Sequence, residues 1–140
     1  IVHDLVEAYA GDTNSLGMTG DIKSIKEERE HAAFIKIKNQ FSQSFPWIHS
    51  TIADYESLKS DEAKFVKAFD KIMPKVTQVL NEGAQFKETG RTNETLKNIH
   101  NKQLQEMSEG YAKGFPETID LLAEMMKRAE GVYPSEGLVV

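Results

Sequence analysis

The chain contains no cysteine. Disulfide bridges and thiolate metal ligands are therefore excluded, while the redox compartment is left open. It has no apolar run of the roughly 20 residues needed to cross a bilayer, so no membrane partner is expected. It has no excess of basic charge. Seventeen Lys and Arg stand against 22 Asp and Glu, a net charge of −5, which argues against general binding of polymeric nucleic acid. A small anionic substrate held by a metal is not excluded by that balance. No internal repeat, low-complexity tract or candidate strand is visible. No leader is recognisable, but the chain opens on Ile1 rather than Met, in what reads as mid-helix, and this predicts an N-terminally incomplete domain. What is present is 140 residues, 39% hydrophobic and 28% charged. That is the profile of an ordinary soluble globular chain with one core, and a cytoplasmic location is expected. The expected organisation is one helical domain over residues 1–130 and a patternless tail over 131–140.

The opening segment carries the densest chemistry. His3 and Asp4 are adjacent, Glu7 follows, and Gly11-Asp12 closes the segment. At about 100° per residue, Val2, Leu5, Val6 and Tyr9 share one face and His3, Asp4 and Glu7 the opposite one. Glu7 is i+4 from His3 and i+3 from Asp4, so the three can converge on one point. The pattern also fits a surface helix with a solvated polar face. Gly11 suits a left-handed C-cap, which leaves Asp12 on the loop beyond.

The rest of the chain reads as helices. Residues 13–22 predict a loop beside the opening segment. A helix is expected from about Ile25 to Ser44, with Ala32, Ala33, Ile35 and Ile37 among its apolar residues. Pro46 opens another, carrying Trp47, Ile48, Ile52, Tyr55 and Leu58. Ser60 caps a third, with Asp61 and Glu62 at its positive end. On this helix Phe65, Val66, Phe69, Ile72, Met73, Val76 and Leu80 form a broad apolar face, and Lys64, Lys67, Lys71 and Lys75 cover the far side. Asp70 lies at the margin of that face, four residues before Pro74, where a kink is expected. It is either a half-buried functional acid or an exposed partner of Lys67 or Lys71. Glu82–Arg91 reads as a loop, Thr92 or Asn93 as the cap of a helix to about Glu109, and Pro116 as the start of a last helix through Arg128. Met107, Tyr111, Met125 and Met126 read as core residues, or as an apolar contact between subunits.

Four strings now carry a resemblance: HDLVEAYAGD at residues 3–12, the Arg29-Glu30 region, Tyr55-Glu56, and EAKFVKAFDK at residues 62–71. In order and separation they resemble the HD-domain metal-dependent phosphohydrolases, and within them the 5′-deoxynucleotidase-like branch. The resemblance covers roughly residues 1–80; beyond that only helical character agrees. The HD dipeptide is common, whereas HDxxExxxGD with a later VKxxDK is fairly specific.

The resemblance implies an all-α HD-domain helical bundle. It implies one divalent metal, held by a first His, the His-Asp pair and a distant Asp. Carried over, His3, Asp4 and Asp70 are ligands, a set suited to Mn, Fe, Co, Ni or Zn rather than calcium. The family's first His lies upstream of the pair and has no counterpart in this chain. His31, His49 and His100 come too late to replace it and read as surface or structural histidines. Glu7 and Asp12 match the positions that act on the attacking water and the leaving oxygen, with the division of labour open. Glu56 is a substrate or proton contact, or a solvated helix-end acid. The implied reaction is phosphate release from nucleoside 5′-monophosphates, preferentially deoxyribonucleotides. The partners implied are a small nucleotide and a second copy of the chain. Two alternatives stay open: a nucleoside triphosphohydrolase on the same scaffold, and a non-catalytic helical sensor or interaction module.

Overall fold

A computed structural model describes residues 2–11, 20–84 and 92–133. Among the described residues every regular element is an α-helix, as expected, and no helix is long and apolar enough to cross a membrane. The chain divides into two compact units, Ile1–Ala63 and Lys64–Val140.

The first unit contains α1 (Leu5–Ala10), α2 (Gly20–Phe41) and α3 (Pro46–Ser57). Each contributes two buried residues one turn apart: Val6 and Ala10, Ala33 and Ile37, Ile48 and Ile52. Such i, i+4 pairs lie one above the other on a helix face, so three short stripes close one core. Val2, Phe34 and Phe41 pack around it. Helix α2 starts at Gly20, earlier than its apolar pattern suggests, and Asp21 sits in its first turn at the positive end of the dipole. Helix α3 opens at Pro46 behind Phe45, whose angles (φ −139°, ψ 64°) lie outside the helical region that a following proline disfavours. It ends at Leu58, which is left-handed (φ 48°, ψ 30°) and donates its N–H to the Tyr55 carbonyl at 3.2 Å.

The second unit holds the body of α4 (Asp61–Leu80), with α5 (Asn93–Glu109) and α6 (Pro116–Gly131). Both predicted caps form. Ser60 Oγ accepts the Ala63 N–H at 3.1 Å, and Thr92 Oγ1 accepts the Thr95 N–H at 3.3 Å. Phe115 (φ −133°, ψ 67°) and Pro116 open α6 as Phe45 and Pro46 open α3. The core is Ala68, Ile72, Met107, Ala112, Leu122 and Met126, so Met107 and Met126 are core residues. Of the loops predicted over 13–22 and 82–91 and the tail predicted over 131–140, residues 13–19, 85–91 and 134–140 lie outside the described residues.

Helix α4 is rotated from the face its composition suggests. Phe65, Val66, Phe69, Met73 and Leu80 are exposed, and the buried stripe is Ala68, Ile72, Lys75 and Gln78. Ala68 and Ile72 join the second core, and the four methylenes of Lys75 supply apolar surface on the same stripe. Lys75, expected on the solvated side, is 3% exposed. In the same unit the buried His100 places Nδ1 2.8 Å from Glu130 Oε1, while Asn93 Nδ2 donates to the Glu130 carbonyl at 2.8 Å. Burial holds His100 below its ordinary value, against the opposing hydrogen bond to Glu130.

Burial, helped by the charge of Lys71, lowers the Lys75 amine from 10.5 to about 8. A base depressed in the native state works against folding while both states are protonated, and the penalty fades as pH rises through the native value toward the unfolded one. The shift corresponds to about 3 kcal/mol. Lys75→Met is therefore expected to raise stability at pH 7 by about 1–3 kcal/mol. It should also remove the share of the stability rise between pH 8 and 10.5 that Lys75 supplies. Denaturant titrations of both proteins across that range check this, and a methionine variant less stable at pH 7 would refute it.

Candidate metal centre

The turn that leads into α1 is built by backbone bonds from Leu5 to Val2, Val6 to His3 and Glu7 to Asp4 at 3.0–3.2 Å. Asp4 occupies the N-cap position with helical angles (φ −68°, ψ −14°), and its carboxylate makes no capping bond. Instead Asp4 Oδ1 lies 3.0 Å from His3 Nε2. The two environments differ, since the His3 side chain is 17% exposed and that of Asp4 56%.

This corrects the helical-wheel expectation for His3. Burial of Val6 and Ala10 sets the rotation of α1 and leaves Leu5 and Tyr9 exposed. Tyr9 Oη donates to Gln40 Oε1 at 2.7 Å. His3 precedes the regular helix and turns inward, where its ring stacks on Tyr55 with centroids 4.0 Å apart and planes inclined by 19°. Tyr55 is itself buried on α3. It was not singled out as a functional residue from sequence, although the Tyr55-Glu56 dipeptide was the signal available.

The His3–Asp4 spacing is compatible with two ligands of one divalent ion. Two ligand atoms each about 2.1 Å from a metal, at right angles to each other, stand about 3.0 Å apart. A neutral imidazole nitrogen and a carboxylate oxygen at that separation suit a first-row transition metal. Without an ion, the same contact is an ion pair whenever the imidazole is protonated.

The other predicted residues are placed as follows. Glu7 is exposed in the first turn of α1. Asp12 lies outside the described residues. Glu56 is exposed near the end of α3. Asp70 is half-buried on α4, and its Oδ2 is 3.8 Å from Lys71 Nζ, a pairing that the sequence left as its alternative. Of the later histidines, His31 is exposed, His49 is half-buried and His100 belongs to the second core. The Tyr111 phenol is pushed up to about 12 by burial and then by the charges of Asp70 and Glu106, so it stays protonated across the physiological range.

The end of α1 is held from α2. Arg29 Nη2 donates to the Ala10 carbonyl, one of the acceptors a helix end leaves unpaired. Gly11 donates its N–H to the Glu7 carbonyl at 2.7 Å. Its φ of 81° is positive as expected of a glycine cap, but its ψ of 140° is extended, so the chain leaves the helix without a left-handed cap.

The family model described as HD domain matches residues 1–111, and the chain belongs to that family. The match spans the His3-Asp4 pair and Asp70 alike. HD domains bind divalent metals and are generally metal-dependent hydrolases, and the chain is a member of the metal-dependent phosphohydrolase superfamily. Comparison with curated proteins and with solved structures finds no match.

A Cβ added at Gly11 would stand 2.8 Å from Arg29 Nη2 on a backbone that L-residues avoid. Gly11→Ala is expected to destabilise the protein by about 1–2 kcal/mol. A thermal midpoint equal to that of the wild type would show that this backbone conformation is not required.

Proposed function

We propose that the protein is a metal-dependent phosphatase of (deoxy)nucleoside 5′-monophosphates. In this reading His3, Asp4 and Asp70 hold one divalent transition metal. The observation that carries it is the His3–Asp4 pair, whose 3.0 Å separation suits adjacent ligands of one ion and whose sequence setting is the HD motif. A bound metal would polarise a phosphate oxygen and acidify a water molecule. Glu7 and Asp12 are the acid–base pair: one carboxylate takes the proton of the attacking water, and the other, protonated, delivers a proton to the departing 5′ oxygen. Exposure of Glu7 on α1 leaves it accessible to a small substrate. Glu56 is assigned a substrate contact on the same footing. The preference for 5′-monophosphates and for deoxyribose rests on the resemblance of residues 3–12 and 62–71. Homodimer formation is proposed too, and the exposed apolar side chains of α4 offer surface for it.

Metal content of the purified protein, measured by elemental mass spectrometry with Asp4→Ala as control, tests the ligand assignment. About one equivalent, lost in the variant, is expected. A screen of phosphate release over ribo- and deoxyribonucleoside mono- and triphosphates then tests the substrate. Turnover confined to triphosphates would replace the monophosphatase reading. Retention of the metal with no turnover of any nucleotide would favour a sensor module. Glu7→Ala is expected to keep the metal and to lower phosphate release roughly 100-fold or more. Full activity in that variant would refute the acid–base assignment.

A further inference from the structure

We propose that Tyr55 is the positioning residue of the metal-ligating imidazole of His3; the inference rests on the metal reading above. An imidazole offers its lone pair only in the plane of the ring. A ring free to turn about its own bonds must give up that freedom when it takes a metal, which weakens binding. In this chain part of that freedom is already removed. The His3 ring lies face to face with Tyr55, centroids 4.0 Å apart and planes 19° from parallel. Rotation of the imidazole out of this plane would drive its edge into the phenol ring.

The phenol ring is a fixed wall because its own surroundings are fixed. Tyr55 is 6% exposed. It lies one turn beyond Ile52 on α3, and Ile52 is part of the core stripe. The Tyr55 carbonyl accepts the Leu58 N–H that closes the helix. Stacking occupies a face of the ring rather than its edge, and Nε2, on that edge, is the atom 3.0 Å from Asp4 Oδ1. Tyr55 thus does for His3 what a hydrogen-bonded carboxylate or carbonyl does for many metal-bound histidines: it sets the direction of the ligand before the metal arrives. It touches neither substrate nor metal in this role.

The test combines a property of the metal-free protein with a metal titration. In wild-type protein the His3 ring protons, assigned by comparison with His3→Ala, are expected upfield of those of the exposed His31, because they lie over the phenol face. Tyr55→Leu should abolish that displacement, and Tyr55→Phe should keep it. Cobalt(II), followed by its visible absorption, should bind Tyr55→Leu roughly tenfold more weakly than wild type, with Tyr55→Phe close to wild type. His3 ring protons at an ordinary exposed position in the wild type would overturn the proposal, and that spectrum decides the point even if Tyr55→Leu does not fold. So would a leucine variant that binds cobalt as tightly as wild type while His3→Ala does not; the metal site itself would then stand. Cobalt binding undiminished in His3→Ala would instead overturn the metal reading, and the role of Tyr55 with it.

Discussion

The first unit depends on the rotation of α1 about its own axis. A six-residue helix has too few internal hydrogen bonds to hold itself, so contacts with its neighbours must define it. Val6 and Ala10 supply those contacts by inserting, one turn apart, among Ala33, Ile37, Ile48 and Ile52. Once that stripe is seated, the residues preceding the helix have little choice. His3 falls inward against Tyr55, while Asp4 stays at the rim with its carboxylate unspent on capping. Arg29 and Gly11 then hold the far end. The chemistry of the His-Asp pair is therefore a consequence of apolar packing two to seven residues away.

Much of this was legible in the sequence, and where it was not, the reason is physical. Four helix starts were read well because their signals are local: the hydroxyls of Ser60 and Thr92, and the rigid rings of Pro46 and Pro116, act within one turn. The start of α2, read from its apolar pattern instead, was placed too late. Burial was read less well because it is decided by neighbours. On α4 the largest apolar side chains are exposed and a lysine and a glutamine are buried. A wheel drawn from composition gives weight to size, whereas the buried stripe holds the small Ala68 and the long flexible stem of Lys75. The candidate site divides in the same way. The motif named His3, Asp4 and Asp70, but no pattern along the chain could show that His3 would meet Tyr55, 52 positions on.

The two units also differ in how they treat polar groups. The first keeps its core apolar and brings its polar chemistry to the edge. The second takes polarity inside, where Lys75, Gln78, His100 and Thr118 are all buried. Thr118 is satisfied locally, donating from Oγ1 to the Phe115 carbonyl at 2.7 Å. The His100–Glu130 contact is of another kind, because it joins residues thirty positions apart and ties the middle of α5 to the end of α6. A directional contact of that range specifies which faces of two helices meet, something that apolar contact among Met107, Leu122 and Met126 does only loosely.

Lys75 has a further consequence outside stability. With its amine brought down to about 8, roughly half of it is the nucleophilic free base in mildly alkaline solution. The same burial that produces this reactivity also restricts it, since Lys75 is 3% exposed. Its modification is therefore expected to be slower than that of the exposed lysines and to quicken when the second unit opens. The interior of the protein in this way carries a built-in chemical reporter, whose labelling rate measures how often α4 parts from its neighbours.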